Sequence, residues 1–191
     1  MFPAVVTIRG VALLTLAAPM LIRRSIFHPT AGNASREGFR IYLPVMVNIV
    51  ACGVLLVMLI VDSGGTQGVR PLLLAVAGSV VAAGGSTIVL LSRARLGSAW
   101  SFLPKAAQQS GLVTTGPYRL VRHPIYLGMS MMAAGQAIAF NSGLGFLVVV
   151  VGVIPSFLWQ ACKEEALLAS FFGHRYLHYR RQTSMIIPYV P

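Results

Sequence analysis

Acidic side chains are scarce. The 191-residue chain holds 4 Asp and Glu against 15 Lys and Arg, a formal net charge of +11. Charged residues of both signs make up only 10% of it, where an ordinary soluble domain carries about 25%. Cysteine is rarer still: Cys52 lies in an apolar run and Cys162 beside a charged cluster, a spacing that suits neither a disulfide nor a metal site. These shortages exclude a secreted disulfide scaffold. Hydrophobic residues are in excess at 56%, many in long runs. That excludes a disordered chain and also a soluble nucleic-acid binder, the class the positive charge would otherwise invite. The expected solvent is a lipid bilayer.

A helix needs about 20 apolar residues to cross about 30 Å of hydrocarbon, at about 1.5 Å per residue. Residues 3–22, 41–61 and 71–91 meet that length, with Arg9 the only charge inside them. Residues 125–140 and 144–160 are shorter and are separated by Asn141, Ser142 and Gly143, a turn signal. They read as a tight helical hairpin. The expected architecture is therefore all-α: a single polytopic membrane domain over residues 1–191, with five transmembrane helices including a short C-terminal hairpin. Gly78, Ala82 and Gly85 put small residues at helical spacing in the third span, which lets another helix approach closely.

Lys and Arg near span ends stay cytoplasmic. Segments 23–40, 92–124 and 160–191 together hold 13 of the 15 basic residues, and the intervening loops hold only Arg70. Five spans with the amino end outside place all three basic segments on the cytoplasmic side. Arg23 and Arg24 follow the first apolar stretch, so a membrane span is expected there and not a secretory leader. Arg9, two turns from the outer end, is expected to snorkel to the surface. The bias of 13 Arg to 2 Lys fits a bacterial inner membrane.

Chemistry collects on the basic side, in two clusters flanking the hairpin. In the first, Gly116-Pro117 is a turn and Pro124 suits the first turn of a helix, which puts His123 at its cap. The positive end of that helix, with Arg119 and Arg122 close by, suits a carboxylate or phosphate. The same stretch also suits a basic loop touching anionic lipid. The second cluster holds Glu164 and Glu165, half of all the acid in the chain, before an amphipathic stretch ending at Gly173. This stretch is expected to leave the membrane and lie along it. A carboxylate there could bind a cationic or hydroxylated ligand, or could form a surface ion pair of little energetic weight. His174 and His178 have a metal-ligand spacing but no third ligand, so no metal is expected. No glycine-rich phosphate loop occurs.

Gly116-Pro-Tyr118, Arg122-His-Pro-Ile-Tyr126-Leu-Gly128, Glu164-Glu165, Phe172-Gly173, Tyr176, Tyr179 and Pro188 occur in that order. In this combination the chain resembles the isoprenylcysteine carboxyl methyltransferase family and its bacterial relatives, membrane enzymes that use S-adenosylmethionine. The resemblance covers about residues 110–188. It implies a cytoplasmic cofactor pocket in which Gly111, Leu112 and Val113 form the adenosine-side wall, while Tyr118, His123, Pro124, Ile125, Tyr126 and Glu164 make the main contacts. Glu164 and His123 are the catalytic candidates. Gln160 stands where prenylcysteine enzymes carry a substrate-binding Arg, so a substrate carboxylate loses its bidentate partner.

The sequence thus points to an integral membrane methyltransferase acting on a lipophilic acceptor, with the bilayer as its partner and no nucleic acid. Two alternatives stand beside it. One is an NADPH-dependent membrane reductase of the sterol-reductase type, although such enzymes usually place Asn where this chain has Ile125. The other is a non-enzymatic assembly subunit. The orientation is directly testable: in an otherwise cysteine-free chain, Gly143→Cys is expected to react with an impermeant maleimide from outside the cell. His178→Cys should react only after permeabilisation, and the reverse pattern sinks the assignment.

Overall fold

The computed structural model describes residues 3–10, 57, 67–96 and 111–188. The described residues are mostly helical, and two helices are long and apolar enough to cross a membrane. The first, α1, runs Val69–Leu96 and closes on Arg93 and Arg95 in its last turn, where cations face the negative helix end. It extends the expected third span at both ends. The first expected span is described only over 3–10, which is helical, and the second only at Val57; the rest of both lies outside the described residues.

A 3-10 turn at Gly116–Arg119 leads to α2, Pro124–Ala139, with His123 as its N-cap. Helix α2 lies close against α1 because glycines of each face the backbone of the other at the crossing. A Cβ on Gly128 would stand 2.6 Å from the Gly85 carbonyl oxygen and 2.7 Å from Val89 Cγ2; one on Gly85 would stand 2.9 Å from Met131 Cβ. The small-residue stripe read from the sequence is therefore a backbone contact.

After α2 the chain reverses at Phe140–Ser142, with Asn141 at φ 52° and the Ser142 hydroxyl accepting from Gly145 N–H at 2.9 Å. That hydrogen bond caps α3, Gly143–Val148, which continues through one π-helical turn, Val149–Val153, into α4, Ile154–Phe172. The π turn has a local cause: Pro155 lacks the N–H that would bond the Val151 carbonyl in an α-helix. Ala133 and Ala137 of α2 bury Val149, Val153 and Phe157 of the returning helix.

The second hairpin arm and the amphipathic stretch after it form one helix, which ends at Gly173. The helix does not stop near residue 160; it continues unbroken to Phe172, so the amphipathic stretch is not a separate helix lying along the membrane. Charge interrupts an apolar run without breaking a helix, and no Gly or Pro occurs until Gly173. Gly173, at φ 52°, ends α4 with its N–H on the Ala169 carbonyl at 3.0 Å and turns the chain into α5, His174–Gln182.

Arg9 also departs from expectation. It is 5% exposed and does not snorkel. Its guanidinium donates to the Ala139 and Phe140 carbonyls at 2.9 and 3.1 Å and lies over the Phe140 ring. Those carbonyls end α2 and have no intrahelical donor, so the planar fork of Arg9 satisfies a helix end that lipid could not.

The α1–α2 contact predicts a graded mutational response. Gly85→Ala and Gly128→Ala should each cost about 1–3 kcal/mol through overpacking. Gly84→Ala, with nothing nearer than Met131 Cε at 3.8 Å, should be neutral or stabilising. Unfolding in mixed detergent micelles measures all three, and equal effects would contradict the packing described.

Candidate functional site

The amino end of α2, one face of α4, helix α5 and the last described segment meet at one end of the fold. Glu164 and Glu165 are neighbours on α4, and consecutive residues on a helix point about 100° apart. They take up different surroundings. Glu165 is buried: its Oε1 lies 2.5 Å from Arg122 Nε and 3.7 Å from His123 Nε2, and its Oε2 lies 3.4 Å from Arg180 Nε. Glu164 has a side chain 41% exposed. Its Oε1 accepts from the Tyr126 hydroxyl and from Gln160 Nε2 at 3.4 Å, and its Oε2 lies 3.6 Å from His123 Nδ1. The His123 imidazole thus sits between two carboxylates. It stacks on Tyr126 at 5.6 Å, and Tyr126 stacks on Phe157 at 5.4 Å.

Arg122 also donates to backbone. Its NH1 donates to the Arg180 carbonyl at 3.0 Å and to the Thr183 carbonyl. Alongside, Arg122 N–H bonds the Ser184 carbonyl at 2.9 Å and His123 N–H bonds the Met185 carbonyl at 3.0 Å, while Val121 and Ser184 form a single parallel bridge. The segment after α5 is therefore laid against the residues that start α2. The Tyr179 hydroxyl adds a cross-tie to the Tyr118 carbonyl at 2.6 Å.

Beside this lattice lies a cleft. Leu96, Gly111, Leu112, Val113 and Tyr118 form one wall; Leu168, Phe172, Tyr176 and Tyr179 form the other, and Arg122 lines it as well. The Tyr176 ring is fully buried, and its hydroxyl has no hydrogen-bond partner among the described residues. Such a group demands a reason. Burial pushes the Tyr118, Tyr176 and Tyr179 phenols up, Tyr179 to about 12, so all three remain protonated donors at physiological pH.

Residues 73–175, more than half of the chain, match the phospholipid methyltransferase family. The chain belongs to that family. Its curated relatives include the protein-S-isoprenylcysteine O-methyltransferase of Schizosaccharomyces pombe, 36% identical over 80 residues, or 42% of this chain and 34% of the relative. Another is protein-S-isoprenylcysteine O-methyltransferase A of Arabidopsis thaliana, 34% identical over 83 residues, covering 44% and 42%. The Mus musculus protein of the same description is 30% identical over 79 residues, covering 41% and 28%. Each alignment spans less than half the length of the relative it matches. The isoprenylcysteine methyltransferase resemblance seen in the motifs thus holds for the family.

The structure gathers most of the residues singled out from the sequence of this family member. Gly111, Leu112, Val113 and Tyr118 line the cleft; His123, Tyr126, Glu164 and Gln160 form the polar cluster. Pro124 is buried in the first turn of α2 and Ile125 is half-buried next to it, neither lining the cleft. Arg122, Glu165, Tyr176 and Tyr179 stand among the motif residues quoted from the sequence but not among its candidate site residues. The signals were an Arg directly before the His-Pro pair and an acid directly after Glu164.

Glu165→Gln is expected to cost about 3 kcal/mol, because it leaves the buried Arg122 guanidinium without its counter-charge. Glu164→Gln, half exposed, should cost less than about 1 kcal/mol. Detergent-unfolding midpoints distinguish the two, and equal losses would refute the division of labour between the adjacent acids.

Proposed function

We propose that this chain is an integral membrane methyltransferase that uses S-adenosylmethionine and passes its methyl group to a lipophilic acceptor. The observation that carries this reading is the cleft with Arg122 and an unpartnered Tyr176 hydroxyl on its wall, one residue along the chain from the His123–Glu164 contact. The residues present fit such a cofactor. Leu112, Val113, Leu168 and Phe172 would enclose a flat purine, while the Tyr176 hydroxyl and Arg122 would meet hydroxyl or carboxylate oxygens. When bound, the cofactor supplies an electrophilic methyl group on a positively charged sulfur.

The protein's own part is positioning. The cleft walls would hold the donor, the bilayer would deliver the acceptor between the hairpin and the other spans, and closure of the site against water would align the reacting atoms. Glu164, half exposed and held by Tyr126 and Gln160, is the proton acceptor where the reaction releases one, with His123 its neighbour. We place the basic end of the fold in the cytoplasm, with the cofactor arriving from that side. The relatives' names refer to an isoprenylcysteine; the acceptor shared with this chain is proposed only as lipophilic. Family membership favours methyl transfer over the reductase and assembly-subunit alternatives.

Tyr176→Phe isolates the cofactor reading. The lost hydroxyl has no partner among the described residues, so thermal stability should stay level or rise. Affinity for S-adenosylmethionine, measured calorimetrically in nanodiscs, should fall about 5- to 10-fold, the value of one hydrogen bond. No binding of S-adenosylmethionine by the parent protein, with NADPH bound instead, would reject the proposal.

A further inference from the structure

Helix α5 has two faces, and the site uses one of them. Tyr176 and Tyr179 turn inward and are buried. The opposite positions, His174, Leu177, His178 and Arg181, recur at helical spacing and are all exposed, with Arg175 exposed beside them. Neither Arg175 nor Arg181 has an ion-pair partner among the described residues, and no Asp or Glu follows Glu165 in the chain. The Tyr179 hydroxyl holds the Tyr118 carbonyl at 2.6 Å, which brings Arg119 and Leu120, both exposed, close to this helix. Leu120 is 57% exposed, Leu177 42% and Ile187 60%. A single exposed apolar side chain needs no explanation; three at one end of the fold, set among unpaired arginines, have the make-up of a surface that rests on a bilayer. The depth agrees. Helix α1 is about 42 Å long at about 1.5 Å per residue, more than the about 30 Å of hydrocarbon, and its last turn holds Arg93 and Arg95. Leu96, at its end, lines the same cleft as Tyr176 and Tyr179, so α5 stands level with the basic end of a membrane helix, where head groups lie.

We propose that the outer face of α5, with Arg119 and Leu120 beside it and Ile187 after it, is a docking surface for the acidic phospholipids of the bilayer in which the chain sits. Arg119, Arg175 and Arg181 meet lipid phosphates, and Leu177 and Ile187 enter the boundary between head groups and acyl chains. A nucleic acid would engage the arginines and leave the apolar side chains in water. Continuity with the membrane helices favours lipid. The docking also bears on the cleft. Arg122 grips the other side of the same helix through the Arg180 carbonyl at 3.0 Å and the Thr183 carbonyl just beyond it, and Tyr176 and Tyr179 form part of the cleft wall. The head-group layer outside and Arg122 inside therefore hold one wall of the cleft between them. The contact needs no occupant in the cleft, so it stands or falls apart from methyl transfer.

An environment-sensitive fluorophore on Leu177→Cys, in an otherwise cysteine-free full-length chain, tests it in nanodiscs whose phosphatidylcholine is replaced stepwise by phosphatidylglycerol. The emission is expected to shift to the blue, and quenching by neutral acrylamide to fall about threefold, as the acidic lipid rises to about 30%. The same label on Gln67→Cys, beyond the opposite end of α1, should not respond. Arg175→Gln and Arg181→Gln should each raise the fraction of acidic lipid needed for half the response about fivefold, and high salt should weaken the response. Both arginines are exposed, so the variants should melt with the parent in phosphatidylcholine alone. An unchanged signal at Leu177, an equal signal at Gln67, or a response indifferent to the loss of both arginines overturns the proposal. So does a single-stranded RNA that moves the Leu177 label in phosphatidylcholine nanodiscs as far as phosphatidylglycerol does, since it would assign the surface to nucleic acid.

Discussion

The arrangement of the site depends on one buried ion pair, Arg122 with Glu165. Bringing two charges out of water costs several kcal/mol per ion, and the cost is met only when geometry and additional hydrogen bonds satisfy both partners. Here Nε of Arg122 faces the carboxylate at 2.5 Å while NH1 reaches the Arg180 and Thr183 carbonyls. Four stretches of chain are fixed by that one guanidinium: the turn before α2, helix α4, helix α5 and the segment that follows it. The second carboxylate oxygen of Glu165 adds Arg180. In a chain with only 4 acidic residues, burying one of them gives the basic end of the fold an internal counter-charge.

The rest of the fold is built so that this end can be held steady. Helices α1 and α2 touch through backbone at Gly85 and Gly128, α2 packs on the returning helix through Ala133, Ala137 and Phe157, and Arg9 fastens the far end of α2. Apolar packing and the Arg9 contact therefore fix the position of α2 independently of the polar cluster at its amino terminus. The stacked His123, Tyr126 and Phe157 rings carry the apolar core directly into the polar cluster. Tyr126 belongs to both, since its ring packs while its hydroxyl holds Glu164.

Much of this was legible in the sequence, and the misses have physical causes. The motif Arg122-His-Pro-Ile-Tyr126 with the paired glutamates was enough to bring His123, Tyr126 and Glu164 to one place, because residue type and order carry that information. Gly111 to Val113 reached the cleft on the strength of resemblance. The partner of Arg122 was not legible: several basic residues lie near two acids, and only three-dimensional geometry assigns them. A single bridge between Val121 and Ser184 has no periodicity and leaves no trace in a pattern of alternating residues. The end of α4 at Gly173 was legible, but its continuity with the hairpin arm was not, because hydropathy reports solvent, whereas helix termination reports backbone, and nothing between residue 160 and Gly173 breaks the backbone. Arg9 was judged by its distance from the surface, when an uncapped helix end in a neighbouring element was what it served.

The unbroken course of α4 has a metric consequence. Along one helix, Phe157 stands in the apolar core, Gln160 at the last apolar turn, Glu164 in the polar cluster and Leu168 on the cleft wall. At about 1.5 Å per residue, Gln160 and Glu164 are about 6 Å apart in depth and Phe157 and Leu168 about 16 Å. On the proposed reading, a rigid rod graduated in this way would measure how far a lipophilic acceptor must rise out of the hydrocarbon to reach the methyl donor. Chain length and head-group size of such an acceptor would then be read against a fixed scale.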